Sequence, residues 1–189
     1  MAGFKEALTK TLQFEGGYSF DPLDSGGETY AGISRVHHPD WDGWSIVDAI
    51  KVTCGEFRED ASSKAQLAIH VESFYFKIWS DLDSDVQMSE TLIGVLFDTT
   101  VNMGKMRAVR FLQEAMNVLN RNGTLWPDVA IDGLLGPTTK HVLGAIPAEH
   151  GLLSRIVVVI RGAFYLSIVK SNPSQERFIR GWLTRIELI

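Results

Sequence analysis

Cysteine is almost absent from this sequence. Its 189 residues hold one, Cys54, so no disulfide closes within the chain and no thiolate framework exists for zinc. Long unbroken apolar runs are missing as well. The opening Met1-Ala2-Gly3-Phe4-Lys5-Glu6 lacks the apolar stretch of a secretory signal, and the greasiest segment, residues 152–169, is interrupted by Arg155 and Arg161. The expectation is a protein made in the cytoplasm, with no stable membrane insertion. Repeats and low-complexity tracts are also lacking. With 45% hydrophobic and 22% charged residues, the composition is that of a folded globular chain and excludes disorder.

Basic charge is scarce in the front half. Residues 1–100 carry 7 Lys and Arg against 17 Asp and Glu, whereas residues 101–189 carry 11 against 6. An acidic front argues against nucleic acid as a partner, because nucleic-acid binding leaves a basic stripe. A basic rear suits either an anionic polymer such as a cell wall or an ordinary solvated surface.

What is present is mostly helical patterning. Phe4, Ala7, Leu8, Thr11 and Leu12 repeat at three and four residues, and Gly16-Gly17 stops the run. Residues 18–34 change character, with Pro22, Gly26 and Gly27 as turn residues between short β-prone pieces, which predicts a small hairpin or ribbon. Helical periodicity then returns over residues 62–79, 89–104, 105–119 and 148–170, and in a last segment with Phe178, Trp182 and Ile186. Ser62 suits an N-cap for the first of these runs and Ser89 precedes the second, while Pro137 suits a first helical turn and Asn172-Pro173 a break. The prediction is an α+β, mostly helical chain with one small β-ribbon after the first helix. A weak boundary near 84–89 divides it into 1–86 and 87–189.

One carboxylate stands out. At 100° per residue, Glu15 falls near the middle of the first helix's apolar stripe, where an acid is costly unless it has a partner or a task. Glycosidic hydrolysis needs such an acid to protonate the leaving oxygen. It also needs a second carboxylate, kept ionised in a polar setting, to stabilise positive charge or activate water. Asp24, in a glycine-rich turn, fits the second role, and Thr29 offers a hydroxyl to hold a water beside it. Spacing alone leaves other readings open. Glu15 is also admissible as a solvent-facing helix end and Asp24 as a turn residue, while Asp21, Glu28 and Asp98 compete for the second acid.

Phe14-Glu15-Gly16-Gly17-Tyr18, followed by Asp21-Pro22-Leu23-Asp24-Ser25-Gly26-Gly27-Glu28-Thr29, resembles the signature of glycoside hydrolase family 108, bacterial and phage N-acetylmuramidases of lysozyme-like fold. The rear half resembles the family's peptidoglycan-binding module. The likeness runs through Phe97-Asp98-Thr99-Thr100-Val101-Asn102-Met103-Gly104, Arg107-Ala108-Val109-Arg110-Phe111-Leu112-Gln113, Ile131-Asp132-Gly133-Leu134-Leu135-Gly136-Pro137-Thr138-Thr139 and Gly181-Trp182-Leu183-Thr184-Arg185. The resemblance implies a muramidase cutting the β-1,4 bond between N-acetylmuramic acid and N-acetylglucosamine, with bacterial peptidoglycan as partner and no cofactor. Glu15 corresponds to the family's catalytic glutamate. Asp24 and Thr29 follow the Glu–Asp–Thr order of phage-type lysozymes, with the Asp-to-Thr spacing one residue shorter. Tyr30-Ala31-Gly32-Ile33-Ser34 stands where the commoner form has Asn-Tyr before Gly-Ile-Thr.

Tyr18 and Tyr30 offer sugar-stacking faces near the acid, as Trp41, Trp44 and Trp79 do farther along, each with a core role as its rival. Asp98 and Asn102, four apart on one helix, read either as substrate contacts or as a buried hydrogen-bonded pair, and Glu28 joins the substrate-binding set. His37, His38 and Asp40 lack the further ligands of a metal site. The resulting expectation is a monomeric phage-type endolysin released to the wall. Its rivals are a silent wall-binding or secretion-helper protein and a lytic transglycosylase.

Overall fold

The computed structural model describes residues 2–20, 27–54, 57–83 and 86–187. Eight α-helices and a three-stranded antiparallel sheet make up the described elements, with two short 3-10 turns before the last two helices. By packing, they divide into two units, residues 8–77 and residues 1–7 with 78–189.

In the first unit, α1 (Ala2–Glu15) leads into β1 (Tyr18–Phe20), β2 (Glu28–Tyr30) and β3 (Ile33–Ser34), followed by α2 (Gly43–Cys54) and most of α3 (Ala61–Asp83). The sheet order is β1-β2-β3, with Tyr18 opposite Tyr30, Phe20 opposite Glu28 and Tyr30 opposite Ile33. The β1–β2 connection, with Asp21 and Asp24, lies outside the described residues. Ile33, Val47, Leu67, Val71 and Tyr75 are buried in this unit. α2 is not among the helices expected from sequence. Ile46, Val47, Ile50 and Val52 are β-branched, and local preference gives such a segment little helical signal.

The second unit is helical: the start of α1, the end of α3, α4 (Glu90–Met103), α5 (Lys105–Leu119), α6 (Pro137–Ala145), α7 (His150–Ser171) and α8 (Glu176–Glu187). Its boundaries follow the local chemistry. Ser89 caps α4 by accepting from the Leu92 amide, Pro137 occupies the first turn of α6, and Asn172 caps the turn beyond α7 by accepting from the Ser174 amide. Leu92, Leu96, Leu112, Met116, Leu143 and Val157 form much of the core, and Phe4, Trp79 and Phe97 meet edge to face.

Candidate active site

Glu15 is the last residue of α1, half-buried, and the chain turns immediately after it through Gly16 at φ +70°. What faces it comes from the β2–β3 hairpin. Tyr30 and Ile33 are joined by two residues, Ala31 and Gly32, with φ of +48° and +79°. Positive φ at both centres is the backbone of a type I′ turn, whose twist matches paired strands. Glycine adopts it freely, whereas alanine is strained by roughly 1–3 kcal/mol. Two hydrogen bonds hold Ala31 there. Its amide donates to the Gly17 carbonyl at 3.0 Å, and its carbonyl accepts from the Tyr75 hydroxyl at 2.8 Å in the interior.

Gly32 completes the arrangement. A β-carbon at this position would lie 2.5 Å from Glu15 Oε2 and 2.9 Å from Tyr75 Oη. The catalytic candidate and a buried hydroxyl therefore occupy the space that any other residue at 32 would fill. From the sequence, Tyr75 on α3 reads only as part of a helix face. Forty-four positions separate it from Ala31, and no local signal links them.

The remaining front-half candidates sort by strand face, since successive residues alternate. Glu28 and Tyr30 lie on one face of β2, and Thr29, paired with Ser19 and Ser34, lies on the other. Phe57 stacks on Tyr18 at 4.2 Å and meets Tyr30 edge-on at 5.9 Å. Tyr30 stacks on Trp41 at 6.0 Å, and Trp41 meets Trp44 edge-on at 5.0 Å. Tyr30 is buried, and its hydroxyl donates to Glu59 at 2.9 Å. Burial and that carboxylate both push the phenol well above its ordinary value of 10.0. Tyr18 is the more open ring, its phenol also raised by burial and by its bond to Glu28.

Glu28 is buried and charge-paired. Lys51 Nζ donates to its Oε1 at 2.6 Å, and Arg35 Nε makes a charge contact with Oε2 at 2.9 Å, off hydrogen-bond alignment. Arg35 also grips Asp48 with both terminal nitrogens, at 2.7 and 3.2 Å, and this bond holds the Asp48 carboxyl below its ordinary value. Glu28 thus belongs to a four-charge cluster with both signs balanced.

Asp98 and Asn102 belong to the second unit. Asp98, on α4, is 4% exposed and receives Arg161 of α7 at 2.7 Å and Arg185 of α8 at 2.8 Å. Arg161 is 0% exposed, and its Nε donates to the Tyr165 hydroxyl, which in turn donates to Asn102 Oδ1 at 2.7 Å. The two expected substrate residues are connected, then, through Arg161 and Tyr165 and not to each other. A sugar approaching Asp98 would have to displace a guanidinium. Among the described residues, no group of three or more His, Cys, Asp or Glu is placed to hold a metal ion.

The family profile described as "Glycosyl hydrolase 108" matches residues 8–104, which is more than half of the chain. The chain belongs to the glycosyl hydrolase 108 family. A second profile, described as "Predicted Peptidoglycan domain", matches residues 107–187. Among solved structures, the chain is similar to SagA of Brucella abortus, with a TM-score of 0.60 at 21% identity over 98% of this chain and 90% of that one, a likeness of fold. No curated protein matches the sequence. The hydrolase segment of this glycosyl hydrolase 108 protein contains Glu15, Thr29 and Tyr75, and also Asp98 and Asn102. The basic helical rear from Arg107 onward corresponds to the peptidoglycan domain. The chain is thus a peptidoglycan hydrolase in class, with a mostly helical lysozyme-like fold.

Proposed function

We propose that the protein is an N-acetylmuramidase that cleaves the β-1,4 bond between N-acetylmuramic acid and N-acetylglucosamine, acting as an endolysin. Glu15 gives its proton to the bridging oxygen as the bond to the anomeric carbon breaks. Asp24 stabilises the positive charge that develops there or, with Thr29, orients the incoming water. Tyr18 supplies the more open face of the aromatic run for a sugar ring, and Tyr30 and Glu28 brace it from behind. Synthesis in the cytoplasm and action on the wall after release complete the reading.

The observation that carries it is the seating of Glu15. A carboxylate at a helix end, packed against a strained hairpin turn and the bare α-carbon of Gly32, is a pre-positioned acid, and the open space beside the Gly16 and Gly17 backbone leaves room for a substrate. The test is Glu15→Gln on purified peptidoglycan. Release of reducing ends is expected to fall by at least about a hundredfold, the scale of general acid catalysis, with the fold retained. Activity near wild type overturns the assignment. Mass spectrometry of the wild-type fragments distinguishes hydrolysis from a transglycosylase, whose products end in anhydro sugars.

A further inference from the structure

The connection between α5 and α6 is built with more polar structure than a simple link requires. Gln113 on α5 is 0% exposed and commits its whole amide to this loop and the start of α6. Its Nε2 donates to Asp132 Oδ1 at 2.8 Å, Leu134 O at 3.0 Å and Thr139 Oγ1 at 3.3 Å, and its Oε1 accepts from the Gly133 amide at 2.8 Å. Asp132 Oδ1 also accepts from the Leu134 amide at 2.8 Å. Gly133, at φ +82°, presses so close to α5 that a β-carbon there would lie 2.6 Å from Met106 Cγ.

The connection buries Trp126 and Val129 but not all of its apolar residues. Here Leu134 is 61% exposed, with Met106 at 59% and Ile131 at 49% in the same segment and on the helix start against it. Apolar side chains presented to water by a rigid backbone are a mark of recognition surfaces. Beside them opens a hollow of about 490 Å³, within the size range of small-ligand sites, whose lining includes Lys105, Lys140, Asp81, Met106 and Leu134. Lys105 reaches across it to the Asp81 carbonyl at 3.2 Å.

We propose that this hollow is a subsite for the peptide stems of peptidoglycan, engaging an acidic peptide through Lys105 and Lys140 and its methyl groups through Leu134 and Met106. Charge decides between the wall's two components. Where stems are attached, the lactyl carboxyl of muramic acid is tied up in an amide and the glycan is neutral, whereas the stems carry free carboxylates and, in many walls, the amine of a diamino acid. Two ammonium groups and one carboxylate complement that pattern. The proposal rests on the peptidoglycan-hydrolase reading and deepens it, giving the rear unit a grip on the stem that is separate from Glu15 chemistry.

The test uses the full chain carrying Glu15→Gln, so that glycan is not digested, with immobilised glycan strands that keep their stems and with strands whose stems an amidase has removed and whose exposed lactyl carboxyls are then capped as amides. Stem-bearing strands are expected to bind about tenfold tighter or better than stripped ones, with added salt narrowing the gap. Lys105→Glu with Lys140→Glu is expected to bring binding down to the stripped level, and Lys105→Arg with Lys140→Arg to keep it. Leu134→Ser, at an exposed position, weakens binding without a change in melting temperature, which separates recognition from misfolding. Equal binding to the two preparations overturns the proposal, as does unchanged binding by the folded charge-reversal variant. Reducing-end release by the chain with Glu15 intact is scored separately, so failure of the hydrolase reading is recognised on its own.

Discussion

The carboxylate of Glu15 and the hydroxyl of Tyr75 converge on the α-carbon of Gly32, each within 3 Å of the point where a β-carbon would stand. The two side chains come from different helices, and the hairpin turn between them sets their separation. The position of the Glu15 carboxylate is therefore bounded by the Gly32 turn and by Tyr75.

Gly32→Ala is the sharpest probe of that arrangement. The new methyl would collide with Glu15 Oε2 on backbone already at φ +79°. Reducing-end release from peptidoglycan is expected to fall by at least about tenfold, with a stability loss of roughly 1–3 kcal/mol in denaturant titration. An active Gly32→Ala variant would mean that Glu15 is not held by this turn.

Tyr75→Phe removes one oxygen and leaves the Ala31 carbonyl without its buried donor. About 1–3 kcal/mol of stability is expected to go, the cost of an unsatisfied buried acceptor. Activity should fall as well, because the strained Ala31 loses one of its two anchors. Denaturant titration and a kinetic assay on the same preparation check both outcomes.

Tyr30 gives a pH signature. Burial and Glu59 disfavour its phenolate in the folded state, so its folded pKa lies above the unfolded value near 10.0. Its contribution is fully present below pH 10 and is lost as pH rises beyond that, because the unfolded chain then releases a proton that the folded chain retains. Tyr30→Phe should flatten the fall in melting temperature above pH 10, and an unchanged slope would contradict this.

In the second unit, Asp98 serves two arginines, and the three groups together carry one excess positive charge. Asp98→Asn strips both cations of this carboxylate and is expected to cost about 3–5 kcal/mol. Arg161→Met leaves Asp98 paired with Arg185 and should cost clearly less. Equal losses in urea unfolding would show that the charge balance of the trio is not what matters.

The parts of this fold that were legible in the sequence are those governed by neighbours in the chain. Pro137, Asn172 and the Gly16-Gly17 stop act within a turn of themselves, and each stands where local chemistry put it, whereas Ser62, expected as a cap, lies inside α3, which starts at Ala61. The position of Glu15 at the end of α1 was legible for the same reason. Tyr75, Phe57 and the arginine pair on Asp98 were not, because each works through contacts dozens of residues away. The burial of Asp98 illustrates the difference. Periodicity placed it four residues from Asn102, yet the groups that neutralise it come from α7 and α8.

Arg185 brings a practical consequence. It reaches the interior from α8, near the end of the chain, and clasps Asp98 with two nitrogens. The final helix is thus a latch rather than an appendage. Proteolytic trimming or shortened expression variants that stop before position 185 would unfasten the centre of the rear unit, so tags and fusions are better attached without removing residues from this end.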